Sequence, residues 1–314
     1  MKFSFNPSMC PPDQYAALTL AAEEAGFHSI SFPDSLCYPE HSSSNYPYNG
    51  DGSREFLKDL PFVEPLVAIP YLAAITTKIR FNTGVYKLAV RQPVAVAKQI
   101  STLAILSNNR FDFGIGLSPW PEDFEACHIP WEKRGERFDD QIKILRGLLS
   151  GDFFAYEGAQ LSLNSIKLCP VPTAPIPIIV GGHSDAALRR AARLGDGWIG
   201  AGASAEEYSV LINKLQEFRK QFPAICHPRQ LKRCLSSGRP RRTGGPRCKR
   251  VSYRFPQPLR RQARHPKRRC QSSTTSTLCK AVYFLGSLPA FRQHCWRFFY
   301  FYFDKTATCN AASS

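Results

Sequence analysis

Within the first 222 residues, short β-type runs alternate six times with segments of helical periodicity, and this alternation restricts the fold more than any other feature of the chain. Residues 2–5, 28–32, 79–85, 111–115, 176–180 and 197–199 read as strands. Helical patterning runs through 62–76, 93–106, 185–194 and 205–222, and Phe138, Ile142, Leu145 and Leu149 mark one more helix. The first helix opens at Pro11-Pro12-Asp13, places Tyr15, Leu18, Ala22 and Ala25 on one face, and closes at Gly26. Residues 161–168 interrupt the alternation as an insertion. A unit of this size cannot bury a core by itself, so the units must share one parallel sheet, and the class is α/β. A doubly wound sheet favours a glycine-rich phosphate loop after its first strand, which Asn6-Pro7-Ser8 is not. The expected architecture is a (β/α)8 TIM barrel whose last two β/α units are missing.

A barrel carries its chemistry just past the C-terminal ends of its strands. Those positions hold Asn6, then Pro33-Asp34-Ser35, Gly84-Val85-Tyr86-Lys87, Gly114-Ile115-Gly116, Gly181-Gly182-His183-Ser184 and Gly200-Ala201-Gly202. Gly181-Gly182 runs straight into a helix, whose first N–H groups and positive dipole end suit a phosphate, although glycines at such turns also serve tight geometry alone. Asp34 is the acid expected to act in catalysis, with a helix-cap or loop role as its bland alternative. His183 reads as a solvated turn residue before a catalytic one, and Trp120, Trp131 and Trp198 as packing. No His/Cys cluster has zinc spacing and no Gly-x-Ser-x-Gly motif occurs, so no metal is expected and hydrolase readings lose ground. The polar loop 33–60 is longer than compact domains usually keep without a use, and its aromatic-rich part, 37–48, reads as a lid over the site.

Two blocks carry a resemblance. The first is Gly84-Val85-Tyr86-Lys87-Leu88 with Arg91-Gln92-Pro93, Ala97-Lys98, Thr102-Leu103, Leu106-Ser107 and Asn109-Arg110-Phe111-Asp112-Phe113-Gly114-Ile115-Gly116. The second is Pro177-Ile178-Ile179-Val180-Gly181-Gly182 with Ala187-Leu188-Arg189-Arg190-Ala191-Ala192 and Gly195-Asp196-Gly197-Trp198. Together they resemble the luciferase-like flavin monooxygenase superfamily, nearest its branch of deazaflavin (coenzyme F420)-dependent oxidoreductases, over about residues 1–222. The resemblance implies F420 or FMN bound at the barrel mouth, and either hydride transfer with a small organic substrate or oxygen activation. It also implies a ring resting on the third-strand bulge at Gly84-Val85, a bulge that often holds a non-prolyl cis peptide, with Tyr86 beside it also contacting the cofactor. Phosphate-side contacts would come from Gly181, Gly182 and the helix start that follows, with His183, Gly200, Ala201 and Asn6 also contacting the cofactor and Asp34 near the reactive ring. Intact relatives would be homodimers. A non-catalytic flavin-binding relative is the alternative within the same family.

Charge divides the chain. Its formal net charge is +16, yet residues 1–230 hold 22 Lys and Arg against 24 acids, while 231–314 hold 19 against Asp304 alone. Six of the 11 cysteines also fall in that last stretch. Residues 223–314 therefore read as a basic, Cys/Pro/Arg-rich tail outside the barrel. Two explanations compete: an arm that binds nucleic acid through phosphates, or out-of-frame translation. The genetic code permits the second, because codons for residues 262–270 read one base later can spell Lys-Pro-Asp-Thr-Gln-Ser-Val-Val. On that reading the tail is disordered and nucleic acid is no specific partner. The chain as written should then be poorly soluble, open to proteolysis after about residue 222, and without stoichiometric cofactor. Neither a long apolar run nor a secretory leader is evident, so no membrane association and a cytoplasmic location are the expectation.

Overall fold

The computed structural model describes residues 3–42, 52 and 54–222, apart from the Phe56 side chain, together with the backbone of 302–304. In chain order the elements are β1 (Ser4–Phe5), α1 (Tyr15–Glu24), β2 (Ser29–Phe32), α2 (Pro65–Ala74), β3 (Arg80–Thr83) and β4 (Tyr86–Lys87). They continue with α3 (Pro93–Leu106), β5 (Phe111–Gly116), α4 (Pro121–Ala126), α5 (Arg134–Leu148), β6 (Phe154–Glu157) and β7 (Ser162–Ile166). The last are β8 (Ile178–Gly181), α6 (Asp185–Leu194), β9 (Gly197–Ile199), α7 (Ala205–Lys220) and β10 (Tyr302–Asp304). The main sheet runs β1-β2-β3-β5-β8-β9, every neighbouring pair parallel. This is the expected α/β fold, an open parallel half-barrel short of closing units.

The sheet curves as a barrel wall does. Two strands lie between β3 and β9, yet a Cβ built on Gly84 at the end of β3 would stand 3.7 Å from Ile199 Cδ1 on β9. On the outer face, Ile30, Phe81, Phe111, Phe113 and Ile178 pack into one core with Leu72, Ile100, Leu145 and Leu188 from the helices. The inner face is polar low in the barrel. There Arg80 donates two hydrogen bonds to Asp112, at 3.1 and 2.5 Å, and Asn82 donates one to Ser29 at 3.2 Å.

Several boundaries differ from the sequence reading for local reasons. The second helix begins at Pro65, not at 62, because Glu64 caps it by accepting the Leu66 N–H at 3.1 Å. Segment 119–131, to which the sequence reading gave no helix, contains α4, which starts on Pro121 and buries Asp123 and Phe124. Insertion 161–168 holds one strand of an antiparallel hairpin, β6 with β7. Asp140 pins that hairpin, accepting from Tyr156 Oη and Gln160 N at 2.7 Å each and from Leu161 N at 3.1 Å. Burial opposes the charge on Asp140, but these donors hold its carboxyl below the usual range.

The C-terminal tail contributes one piece of sheet that sequence reading did not assign to it. β10 pairs antiparallel with β9, Phe303 opposite Trp198. An open β9 edge presents a row of unpaired N–H and C=O groups, and a short extended segment can take them up in either direction. The remainder of 223–314, and with it the nucleic-acid-arm reading, lies outside the described residues, as do 43–48 of the expected lid.

Candidate active site

The site begins with a mismatch in strand length. From the Asn82–Asp112 pair to the Tyr86–Ile115 pair, the chain advances four residues on one side and three on the other. The surplus residue forms a bulge at Gly84-Val85, where the peptide bond is cis. Close backbone approach follows: a Cβ on Gly114 would collide with the Thr83 carbonyl, and one on Gly84 with the Ser31 hydroxyl. Val85 turns inward between two further glycines, its Cγ2 being 2.5 Å from a Cβ built on Gly116 and its Cγ1 2.8 Å from one on Gly181.

Above the bulge opens a cavity of about 1250 Å³ at the C-terminal ends of the strands. Of the residues expected to contact a cofactor, Gly84, Val85, Gly181, Gly182, His183, Gly200 and Ala201 line it, as does Asp34. Asn6 and Tyr86 do not. The Asn6 side-chain oxygen accepts the Ser8 N–H at 2.9 Å and the Ser8 hydroxyl, which holds it in its own turn. Tyr86, one residue past the bulge, faces the opposite way from Val85. Its ring packs on Phe113 at 5.5 Å with the Arg91 guanidinium 3.9 Å from its centroid, and burial pushes its hydroxyl pKa up.

The wall beyond β2 and β4 is built from charged side chains. Asp34 is buried, and both its oxygens are engaged: Arg91 Nη1 donates at 2.7 Å, Arg91 Nη2 at 3.0 Å and the Lys87 N–H at 2.8 Å. Arg91 also reaches Glu64 at 3.3 Å. The Lys87 ammonium lies 2.7 Å from Asp123, with side chains 8% and 2% exposed, and the Ser118 hydroxyl donates to the same carboxylate. Over Trp120, which lines the cavity, the Arg54 guanidinium stands 3.9 Å from the ring centroid and pairs with Glu122 at 3.2 Å. Sequence reading picked out Asp34 but neither its partners nor the Lys87–Asp123 pair, because nothing local marks two residues 36 positions apart as neighbours.

The opposite wall is made largely of backbone. Gly182 has φ +115°, and its carbonyl accepts the Trp198 indole N–H at 2.8 Å. His183 Nε2 accepts the Ala201 N–H at 3.1 Å, and burial lowers its pKa, partly offset by Glu207. Ser184 caps α6 through the Ala187 N–H at 3.2 Å, which aims the helix start at the cavity. Lys133, Arg134 and Arg190 line this end as well, and Asp139 is shared by Arg190 and Arg193. The arrangement can take an anion at this end and a flat apolar group against Val85.

Comparison with known proteins gives a consistent result. The sequence profile of the luciferase-like monooxygenases matches residues 6–231. An uncharacterized protein of Mycobacterium tuberculosis (strain ATCC 25618 / H37Rv) is 48% identical over 221 residues, 70% of this chain and 76% of that protein. An F420-dependent glucose-6-phosphate dehydrogenase of Beutenbergia cavernae is 27% identical over 195 residues, 60% of this chain and about half of that enzyme, 52%. Among solved structures, the monooxygenase RslO1 from Streptomyces bottropensis aligns with TM-score 0.57 and 20% identity over 72% of this chain and 68% of its own. An F420-dependent secondary alcohol dehydrogenase in complex with an F420-acetone adduct aligns with TM-score 0.56 and 18% identity, over 70% and 65%. These structural likenesses concern the fold. No helix among the described residues is long and apolar enough to cross a membrane.

Proposed function

The chain belongs to the luciferase-like monooxygenase family, and from that premise we propose that residues 1–222 form the cofactor and substrate site of an oxidoreductase that uses F420, or FMN in its place. The observation that carries this reading is the cavity itself, which sets the Gly84-Val85 bulge across from the Gly181-Gly182 turn and the start of α6. The residues present fit such a group: at Gly116 and Gly181 a Cβ would crowd Val85 and fill the cradle. Gly84 and Val85 would support the ring, and Gly181, Gly182 and His183 with Lys133 and Arg134 would hold the anionic side chain. The bound cofactor supplies the hydride-carrying ring, and the substrate is a small organic molecule. F420 is the first choice because two similar proteins with a named activity, 25% and 27% identical, are F420-dependent glucose-6-phosphate dehydrogenases.

In this site Asp34 is a positioning residue. Its two oxygens hold Arg91 and the Lys87 N–H, and so hold the segment that follows the bulge. Titrating the purified full chain separately with F420 and with FMN, followed by fluorescence, tests the proposal. Saturable one-to-one binding of either, weakened in Gly181→Val, supports it. Binding of neither by a chain that circular dichroism shows to be folded refutes it.

A further inference from the structure

The two ends of the cavity differ in charge balance, and this bears on what reacts there. Among the described residues, each cation of the wall beyond β2 and β4 is matched by a carboxylate: Lys87 by Asp123, Arg91 by Asp34 and Glu64, Arg54 by Glu122. Three cations are matched by four carboxylates, and of these seven residues Asp34 and Lys87 line the cavity. The α5–α6 end has the reverse balance: Lys133, Arg134 and Arg190 line it with Glu207, Lys133 and Arg134 enter no ion pair among the described residues, and Asp139 is shared by Arg190 and Arg193. Pro33, Leu57, Phe62, Pro119 and Trp120 add apolar surface to the lining, with Ser35 and Ser118 as its uncharged polar members.

We propose that the substrate bound at the Lys87–Trp120 wall is uncharged, an apolar body bearing a carbonyl or hydroxyl oxygen, and that this wall rejects phosphorylated and carboxylate molecules. The inference rests on the oxidoreductase reading above and narrows its substrate class. An anion brought to this wall would lose its hydration beside the Asp34 carboxylate, while Lys87, the cation on the lining, is already matched by Asp123. A neutral oxygen loses much less. It also gains a donor, because an ammonium carries three N–H groups and Lys87 gives one of them to Asp123. The anionic part of a cofactor is accommodated at the other end, so both demands are met in one cavity without competition.

The test uses four probes with one body: cyclohexanone, cyclohexanol, cyclohexanecarboxylate and cyclohexyl phosphate. Each is titrated into the full chain, with and without saturating F420 or FMN, and followed by calorimetry and saturation-transfer NMR. With cofactor bound, the two neutral probes should bind at least about tenfold more tightly than the two anions. Asp123→Asn leaves Lys87 unmatched, so cyclohexanecarboxylate should gain about tenfold while cyclohexanone changes less than about threefold. Glu122→Gln, at a less buried pair, should move the same ratio in the same direction by less. It decides the matter with the wild-type ratio if Asp123→Asn does not fold by circular dichroism. Anions bound as tightly as the ketone, a ratio unmoved by the substitutions, or no probe bound in any state each overturn the inference. If neither cofactor binds while the neutral preference and its response to substitution persist, the oxidoreductase reading fails and this one stands.

Discussion

The wall beyond β2 and β4 and the wall beyond β8 and β9 face one cavity but are made of different materials. The first is a set of largely buried ion pairs whose members come from one strand, β4, one helix, α4, and the loop positions Asp34, Glu64 and Arg91. The second is glycine backbone, a histidine acceptor and one helix start. Buried charges constrain geometry only while every partner is present, whereas backbone donors persist through most side-chain changes. The charged wall should therefore fail abruptly under substitution, and the backbone wall should fail only where added volume intrudes.

Four substitutions probe that contrast. Lys87→Met should cost the most stability, about 3–5 kcal/mol, because it leaves Asp123 buried without its cation. The double variant Lys87→Met/Asp123→Asn should recover a large part of that loss in urea denaturation. Equal losses in the single and double variants would show that the pair is not a coupled unit. Next, Gly181→Val should cost about 1–3 kcal/mol through overpacking and should also weaken cofactor binding. The intruding carbon meets Val85 Cγ1 at 2.8 Å, so the effect reaches the ring platform as well as the phosphate side. Normal F420 and FMN affinity in this variant would break the assignment of that wall.

Asp34→Asn should lose about 1.5–3 kcal/mol, the usual worth of hydrogen bonds to a charged group, with cofactor affinity little changed. A turnover loss of about 10²–10⁴-fold at unchanged stability would instead make Asp34 an acid or base in the reaction and end its positioning role. The smallest effect belongs to His183. Its folded pKa lies below the ordinary value of about 6.5, so in the window between the two the unfolded chain binds more protons. Stability should be fully present above that window and fall as pH drops through it, because protonation removes the acceptor for the Ala201 N–H. His183→Gln keeps an acceptor without titrating, and thermal melts across pH 5 to 7.5 should be flatter than for the parent chain.

The two walls were also unequally legible in the sequence. Gly84-Val85 and Gly181-Gly182 could be located because strand ends are marked by local pattern and glycine signals close approach within a few residues. Asp34 could be placed at a strand end for the same reason, but its bond to Arg91 spans 57 residues and left no local trace. Tyr86 was assigned to the cavity because alternation alone does not say which way a chain emerges from a bulge. The β6–β7 hairpin was missed because short half-exposed strands lack the apolar alternation of core strands.

Sequence alone determined the α/β class, the order of the six parallel strands and the strand ends where a cofactor could sit, since all of these follow from periodicity and from residues adjacent in the chain. Only the tertiary structure decided which charges meet, that the extra residue of the bulge turns Val85 inward and Tyr86 outward, and that β10 lies antiparallel on β9. The reason is physical. Hydrophobic periodicity is a local property that each segment carries unaided, whereas the pairing of Lys87 with Asp123 exists only after the sheet has curved and α4 has packed beside it.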